Sequence, residues 1–228
     1  MPLINISEES SMSVLEKLAG KFIVIEGLEG AGKTTAIQYI KKWLLSKGLA
    51  EQQLAFTREP GGTVLAEKMR DIVKMDVADE QLADKAELLI MYAARVQLVE
   101  HKIKPALTAG HVVIGDRHNW SSLAYQGGGR GINTNLINDI KQVALGDFKA
   151  DFTLFLDIEP ELGLARARGR GELDRIERLA IDFFNRSRAV FQQLVNEETN
   201  AVCIDASQTF AQVEIDINRQ LDAWLASL

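Results

Sequence analysis

The residues from Gly27 to Thr34 constrain this chain more than any other segment does. They read GLEGAGKT and match the pattern G-x-x-x-x-G-K-[ST] at every fixed position. Residues 21–26 before them form an apolar run that predicts a buried strand, and residues 35–47 after them predict a helix. A glycine-rich turn between a strand and a helix aims several backbone N–H groups into one hollow, where the helix N-terminus adds a partial positive charge. The segment therefore predicts a site that holds polyphosphate, and a chance match on an ordinary strand-turn-helix is the alternative.

Two side chains of this segment support the prediction. Lys33 adds a full positive charge to the hollow, and Thr34 offers a hydroxyl group to a magnesium ion. The candidate residues for binding the phosphates are Gly27, Leu28, Glu29, Gly30, Ala31, Gly32, Lys33, Thr34 and Thr35.

The composition limits the kinds of partner that the chain can have. Of its 228 residues, 46% are hydrophobic and 25% are charged, as in an ordinary globular domain with a substantial core. The net charge of −6 argues against a general nucleic-acid binder, because such proteins neutralise many phosphates. A single cysteine, Cys203, excludes an internal disulfide framework, and its apolar surroundings predict a buried thiol. A reducing cytoplasm fits this cysteine usage.

The chain is predicted to be one domain with a short N-terminal extension. No segment approaches the roughly 18 consecutive apolar residues that a membrane helix needs. Residues 1–20 have no basic start and no apolar stretch, so we do not expect a secretory signal but an extension that is partly disordered. Residues 21–228 are predicted to form the domain, with a lid at about residues 163–175.

Strand-like runs alternate with longer helix-like stretches along the chain. The strand-like runs are residues 22–26, 54–57, 111–115, 152–157 and 201–205. The helix-like stretches include residues 63–74, 85–109, 133–145, 175–196 and 210–225. This alternation predicts an α/β fold of three layers, with a mostly parallel five-stranded sheet and helices on both of its faces.

Polar clusters follow the first four predicted strands. The glycine-rich segment follows the first, residues 57–62 (TREPGG) follow the second, and residues 116–118 (DRH) follow the third. An arginine-rich segment comes soon after the fourth. Because ligands of open α/β sheets bind beyond the carboxyl ends of the strands, we expect the four clusters to meet in one cleft.

A cleft of this kind can carry phosphoryl transfer, which needs positioning and charge neutralisation more than covalent chemistry. Two unit charges about 4 Å apart repel by about 4 kcal/mol at an effective dielectric constant near 20, so cations must surround the reacting phosphates. The candidate cations are Lys33, Arg58, Arg95, Arg117, Arg166, Arg168, Arg170 and Arg175.

Two of these arginines also have structural interpretations. Arg58 precedes a Glu-Pro dipeptide that keeps the chain extended, so it is predicted to project from a strand end into the cleft. A surface ion pair with Glu59 is the alternative. Arg95 emerges from an apolar helix, where a charge needs a ligand or a partner. A buried ion pair with Glu87 or Glu100 is the alternative there.

Asp116 and the arginine-rich segment have two interpretations each. Asp116 follows an apolar strand, where an acidic residue can hold Mg²⁺ or can cap the next helix. Gly169 and Gly171 permit hinge motion in the arginine-rich segment. Residues 165–172 are therefore either a lid that brings an arginine to the phosphates or a solvated charged helix.

Together these motifs resemble those of the bacterial thymidylate kinases (dTMP kinases), which are P-loop nucleoside monophosphate kinases. The resemblance covers about residues 21–226. It rests on residues 25–35, 57–63, 92–95, 115–118, 124–131 and 170–177, which read IEGLEGAGKTT, TREPGGT, YAAR, GDRH, AYQGGGRG and RGELDRIE. It implies the P-loop fold with sheet order 2-3-1-4-5, transfer of the γ-phosphoryl group of MgATP to dTMP in dTTP biosynthesis, small-molecule substrates without nucleic acid or membrane, and a homodimer.

The resemblance also implies roles for individual residues. Glu29 would contact the 3′-hydroxyl of dTMP, Ser122 would border the base, and Tyr125 would crowd the 2′ position of the sugar. The implied catalytic residues are Lys33, Arg58, Arg117 and Arg170, the last of them in the lid. The implied substrate-binding residues are Glu29, Arg58, Met91, Arg95, Arg117, Ser122, Tyr125 and Gln126, with Arg58 and Arg117 on the phosphate and Arg95 on the thymine edge. The expected metal contacts are Thr34 and Asp116.

One position departs from the family pattern. Family members usually place a phenylalanine four residues before the helix arginine, where it stacks on thymine, and here that residue is Met91. A thioether packs on an aromatic ring for roughly 0.3–1.5 kcal/mol, but the aromatic stacking is lost. Because of Met91, a kinase that acts on another nucleoside monophosphate or on a deoxynucleoside is the alternative function. A nucleotide-controlled switch is a rival from another class, but the guanine-reading motif Asn-Lys-x-Asp does not occur in the sequence.

Overall fold

The structure is a computed structural model and describes residues 12–169, 175, 176 and 178–228. In this part of the chain the strands form one sheet. They are β1 (Phe22–Gly27), β2 (Leu54–Arg58), β3 (Val112–Asp116), β4 (Phe152–Asp157) and β5 (Ala201–Asp205). Their order is β2-β3-β1-β4-β5, and every neighbouring pair is parallel. The predicted α/β fold and sheet order are confirmed.

Helices connect the strands and cover both faces of the sheet. They are α1 (Val14–Leu18), α2 (Lys33–Ser46), α3 (Val64–Lys74), α4 (Asp84–Leu98), α5 (Lys104–Thr108), α6 (Asn119–Ser122), α7 (Thr134–Leu145), α8 (Pro160–Arg168), α9 (Ile181–Glu197) and α10 (Phe210–Ser227). Two π-helical turns cover Val99–Ile103 and Leu123–Gly129.

The strand β1 lies in the middle of the sheet, and all of its residues are buried. Ile23 and Ile25 belong to a core shared with α2, α9 and α10, whereas Phe22 and Val24 belong to a second core with α4 and α7. Because both faces are covered, the strand is a continuous apolar run rather than an alternation of apolar and polar residues. The chain therefore leaves β1 at the centre of the carboxyl edge, between the loops that follow β3 and β4.

A close approach of two glycines holds the phosphate-binding segment against α8. Gly30 has a φ of +72°, and a Cβ atom there would lie 1.9 Å from the carbonyl oxygen of Gly163. A Cβ atom on Gly163 would lie 2.5 Å from the carbonyl oxygen of Glu29. Any side chain at either position would therefore push the segment away from α8.

The prediction of one continuous helix over residues 85–109 is wrong. The helix α4 ends at Leu98, a π-helical turn follows, and α5 begins at Lys104. Pro105 lies in the first turn of α5. Because proline lacks an N–H group and its ring clashes with the preceding turn of a regular α-helix, the chain widens into the π-helical turn before Pro105.

The helix predicted over residues 175–196 begins later, at Ile181. Described residues before it make ion pairs with the region of α3 and α4: Arg175 with Glu87 and Arg178 with Asp76. These tertiary contacts hold the segment in turns, so packing overrides the helical pattern of its sequence.

The predicted burial of Cys203 is also wrong, because its side chain is exposed. Neighbouring residues of a strand point to opposite faces, and Ile204 is the one that enters the core, with 2% of its surface exposed. The strand β5 lies at the edge of the sheet, and the face of this strand that carries Cys203 is open to solvent.

Residues 12–20 of the predicted N-terminal extension lie within the described residues, and they contain the short helix α1. The side chain of Ser13 accepts a hydrogen bond from the N–H of Glu16 and so caps α1, and Leu18 is buried. Residues 1–11 lie outside the described residues. In the described part of the chain, we find no helix with the length and apolar character needed to cross a membrane.

Two isoleucines of α10 provide a test of the core. Ile217 is fully buried, whereas 57% of the surface of Ile215 is exposed. We expect Ile217→Ala to lower the free energy of unfolding by about 2–5 kcal/mol, because it removes apolar contacts and leaves a cavity. Ile215→Ala is the matched control and should change it by no more than about 0.5 kcal/mol. Urea unfolding followed by circular dichroism measures both, and equal losses would contradict this placement of the core.

Candidate active site

A cavity of about 700 Å³ lies at the carboxyl edge of the sheet. Loops after three strands line it: Glu29 follows β1, Pro60 follows β2 and Arg117 follows β3. Among the residues predicted from the sequence, the lining includes Glu29, Gly30, Gly32, Lys33, Thr34, Thr35, Met91, Asp116, Arg117, Tyr125 and Gln126. The predicted residues that the structure describes and that do not line it are Gly27, Leu28, Ala31, Arg58, Arg95, Ser122, Arg168 and Arg175. The clusters that follow β1, β2 and β3 therefore meet, as the sequence predicted, and Arg166 of the fourth cluster also lines the cavity.

Lys33 begins α2 and folds back over the loop that precedes it. Its Nζ atom donates hydrogen bonds to the carbonyl oxygens of Gly27 at 3.1 Å and Leu28 at 2.9 Å. Burial of the amine, together with the positive charge of Arg117, lowers the pKa of Lys33 to about 8. Lys33 therefore still carries a positive charge at pH 7.

Arg117 follows β3 with a left-handed backbone, at a φ of 70°. Its guanidinium group donates to Glu29 Oε1 at 2.8 Å and to Ser121 Oγ at 3.1 Å, and it lies 4.9 Å from the ring centre of Tyr125. The hydroxyl of Tyr125 donates to the other carboxylate oxygen of Glu29 at 2.7 Å. Burial acts to lower the pKa of Arg117, but its neighbours Tyr125, Glu29 and Asp116 raise it above the usual range. Arg117 is therefore a fixed cation in the wall of the cavity.

A fully buried carboxylate, Glu26 of β1, lies behind Arg117. Its Oε1 atom accepts the N–H groups of His118 at 2.8 Å and Ser121 at 3.2 Å, and its Oε2 atom accepts the hydroxyl of Ser121 at 2.6 Å. Burial raises the pKa of Glu26, and the contacts with Ser121 and Arg117 act in the opposite direction. Our sequence analysis missed Glu26 and Ser121. The one available signal was a carboxylate inside the otherwise apolar run of β1.

Asp116 ends β3 and lines the cavity together with Thr34. Its Oδ1 atom is buried and has no hydrogen-bond partner among the described residues. The capping interpretation is wrong, because α6 starts after His118 without a side-chain cap. A carboxylate oxygen and a threonine hydroxyl are oxygen donors of the kind that Mg²⁺ prefers. These two residues therefore fit a magnesium ion.

Arg95 is fully buried in α4 and lies outside the cavity lining. Its Nε atom donates to Glu59 Oε2 at 2.5 Å. Arg95 therefore forms a buried ion pair, which was the alternative interpretation of its sequence, but its partner is Glu59 rather than Glu87 or Glu100. The sequence could not identify this partner, because Glu59 comes from the loop after β2.

The same network extends to the loop after β3. The two terminal nitrogens of Arg95 donate to Ser122 Oγ and to the carbonyl oxygen of His118, each at 3.0 Å. The Nδ1 atom of His118 lies 2.8 Å from Glu59 Oε1. Burial acts to raise the pKa of Glu59, but the charge of Arg95 and the hydrogen bond with His118 lower it. Arg95 and Glu59 therefore join α4 to two strand ends beneath the cavity.

Arg58 lies outside the cavity, with 54% of its side chain exposed. It pairs with Glu67 of α3 at 2.8 Å, so the predicted surface pair with Glu59 is not formed. Arg70 of α3 lines the cavity instead, and its side chain donates to the carbonyl oxygen of Pro60 at 2.8 Å. The sequence analysis missed Arg70, although the spacing of residues 70, 73 and 74 would place them on one face of a helix.

A second buried carboxylate lines the cavity at Glu87, which is 1% exposed. It accepts hydrogen bonds from Gln126 at 2.9 Å, from Arg130 at 3.1 Å and from Arg175. Burial acts to raise the pKa of Glu87, but the hydrogen bonds from Arg175 and Gln126 lower it. Met91 lies one turn further along α4 and lines the same wall. This wall therefore combines an apolar side chain with an ionised, hydrogen-bonded carboxylate.

Arg166 of α8 lines another part of the cavity. It donates to the carbonyl oxygens of Ala206 at 2.8 Å and Ser207 at 3.4 Å, in the loop after β5. Phe210 at the start of α10 also lines the cavity, with 67% of its surface exposed. Arg170, the predicted catalytic arginine of the lid, lies outside the described residues.

Comparisons with known proteins agree with this geometry. Residues 25–217 match the family model described as thymidylate kinase. The chain is 56% identical over 208 residues to a thymidylate kinase of Vibrio vulnificus (strain YJ016). The aligned residues cover 91% of this chain and 97% of the relative. A crystal structure of thymidylate kinase from Ehrlichia chaffeensis superposes with a TM-score of 0.71 at 28% identity and covers 89% of this chain and 98% of its own.

The lowered pKa of Lys33 leads to a titration experiment. We expect the amine of Lys33 to titrate near pH 8, so that it is mostly charged at pH 7 and mostly neutral above pH 9. Replacing Arg117 by Gln removes a positive neighbour and should raise the pKa of Lys33. NMR detection of the lysine ¹³Cε shifts against pH measures this, with the exposed Lys42 as the control, whose pKa is raised by Glu214. A Lys33 midpoint near the usual value of 10.5 would contradict the prediction.

Proposed function

This chain belongs to the thymidylate kinase family, and we infer from that membership that it transfers the γ-phosphoryl group of ATP to dTMP, giving dTDP and ADP. One observation carries the inference: Lys33 of the phosphate-binding loop and Arg117 after β3 line the same cavity. Two cations on one cavity allow the phosphates of a donor and an acceptor to approach each other despite their repulsion.

The donor nucleotide is proposed to bind along residues 27–35. The backbone N–H groups of this loop and the charge of Lys33 would hold the phosphates of ATP. Thr34 and Asp116 would hold Mg²⁺, which neutralises charge on the phosphate oxygens when it is bound. The unpartnered oxygen of Asp116 supports this assignment. We assign the part of the cavity lined by Arg166 to the adenine ring, and the carbonyl oxygens of Ala206 and Ser207 hold this arginine in place.

The acceptor dTMP is proposed to bind on the side of Arg117. Its phosphate would contact Arg117, and its 3′-hydroxyl would contact Glu29, while Tyr125 would exclude a 2′-hydroxyl. The pairing of Glu29 with both Arg117 and Tyr125 supports this assignment, because it keeps the three groups within reach of one ligand. A role for Arg58 on the same phosphate requires it to leave Glu67.

The thymine base is proposed to lie against Met91 and Gln126, with Ser122 and Arg95 behind them. Met91 and Gln126 both line the cavity. Arg95 holds Ser122 from the interior, so its proposed effect on the thymine edge would pass through the residues that it fixes.

The transfer step needs no strong base, because the phosphate of dTMP is already an anionic nucleophile. The protein has to bring the acceptor oxygen in line with the γ-phosphorus and to neutralise charge in the transition state. Arg170 of the lid stays our proposal for the transition-state contact. Arg175, at the end of the predicted lid, pairs with Glu87 of the cavity wall, which supports this proposal.

A homodimer in the cytoplasm is proposed as the working form. Exposed apolar side chains of two adjacent helices support a dimer face, namely Val64, Leu65 and Ile72 of α3 and Leu89 of α4. The exposed thiol of Cys203 is compatible with a reducing compartment.

A substrate panel tests the proposed function. Turnover of ATP with dTMP, dUMP, UMP, CMP or thymidine is measured by ADP release, and dTMP should give the highest kcat/KM. Arg117→Ala should lower kcat/KM for dTMP by about a hundredfold or more, since it removes a charged donor from the phosphate. Arg219→Ala, which removes an exposed arginine of α10, is the control. Preference for another acceptor would refute the assignment of dTMP.

The methionine of the base wall gives a second test. We expect Met91→Phe to lower the KM for dTMP, because an aromatic ring stacks on thymine better than a thioether does. Steady-state kinetics at saturating ATP measure the change, and Met12→Phe at an exposed position is the control. An unchanged or higher KM would mean that Met91 does not contact the base.

A further inference from the structure

We propose that Glu26 and Ser121 are positioning residues that fix the direction of the Arg117 guanidinium group. Neither residue touches the phosphate in this proposal, and both act through Arg117. The proposal rests on the proposed function, because it assigns their effect to the binding of dTMP.

The geometry consists of one continuous chain of hydrogen bonds. Glu26 is completely buried, and its Oε2 atom accepts the hydroxyl proton of Ser121 at 2.6 Å. Ser121 Oγ in turn accepts a hydrogen bond from Arg117 at 3.1 Å. Ser121 is 3% exposed, so this chain runs from the protein interior to the wall of the cavity.

The chemistry of the three groups sets the direction of this chain. The carboxylate of Glu26 accepts three hydrogen bonds, one of them from the Ser121 hydroxyl, and a hydroxyl group has a single proton to donate. Because the Ser121 hydroxyl donates its hydrogen bond to Glu26, the lone pairs of Ser121 Oγ remain to accept from Arg117, which only donates. The other oxygen of Glu26 accepts the backbone N–H groups of His118 and Ser121, so the carboxylate cannot turn without losing them.

Arg117 has a second anchor that a substrate would disturb. Glu29 binds Arg117 directly and lines the cavity, so an incoming phosphate competes with its carboxylate for the same guanidinium group. Ser121 presents a neutral oxygen that is tied to a buried carboxylate. Of these two side-chain hydrogen bonds of Arg117, the one to Ser121 is therefore the one that remains after a phosphate has taken the place of Glu29.

Two substitutions test the chain in different ways. Ser121→Ala removes the acceptor of Arg117. Glu26→Gln keeps the size of the side chain, but two backbone N–H groups hold its oxygen, so its NH₂ group faces Ser121 and reverses the direction of the hydrogen bond. We expect either change to raise the KM for dTMP about tenfold and to leave the KM for ATP within about twofold of the wild type. Ser187→Ala, which removes a buried hydroxyl of α9 that bonds to Phe183, is the matched control.

A double-mutant cycle separates positioning from a general loss of structure. In an Arg117→Ala background, Ser121→Ala should change dTMP affinity by less than about twofold, because its effect passes through the missing arginine. Isothermal titration calorimetry measures this affinity without turnover. A tenfold effect that persists without Arg117, or single variants that keep the wild-type KM, would overturn the proposal. A wild-type protein that does not turn over dTMP would instead refute the proposed function and this inference with it.

Discussion

The pairing of buried carboxylates with cations is the interaction on which the cavity depends. Arg95 and Arg117 lie in surroundings from which water is largely removed, and an unpaired charge there is costly. Each has a carboxylate at hydrogen-bond distance, Glu59 for Arg95 and Glu29 for Arg117. The cations can therefore be concentrated at one edge of the sheet before any anionic ligand arrives.

The sheet makes these pairings possible, because the partners come from distant parts of the chain. Glu26 ends the apolar part of β1, Glu59 follows β2, and Arg117 follows β3. Parallel strands bring these ends to one edge, with Arg58 of β2 in register with Asp116 of β3, and Asp116 beside Ile25 of β1. Hydrogen bonds from Arg117 N–H to Ile25 and from Glu59 N–H to Asp116 continue this register into the loops. The site is therefore an extension of the strand pairing.

Much of the fold followed from the sequence, because buried parallel strands leave continuous apolar runs and their ends carry the polar motifs. What could not be predicted depends on tertiary partners. Nothing local links Arg95 to Glu59, and nothing in the sequence around Arg175 and Arg178 indicates that ion pairs would hold these two residues out of the following helix. The same holds for Arg58, which turned to Glu67 on α3 and left the cavity to Arg70.

The backbone of Arg117 connects the strand register to the proposed chemistry. A left-handed conformation costs a non-glycine residue roughly 1–2 kcal/mol, so it persists only where its surroundings impose it. Here the N–H of Arg117 bonds to Ile25, and the N–H of the next residue, His118, bonds to Glu26. Two adjacent residues of β1 thus hold the chain on both sides of Arg117, and the strained turn directs its side chain toward Glu29 of the phosphate-binding loop. The central strand β1 therefore fixes the backbone of Arg117, the cation that we assign to the acceptor phosphate, through these two hydrogen bonds.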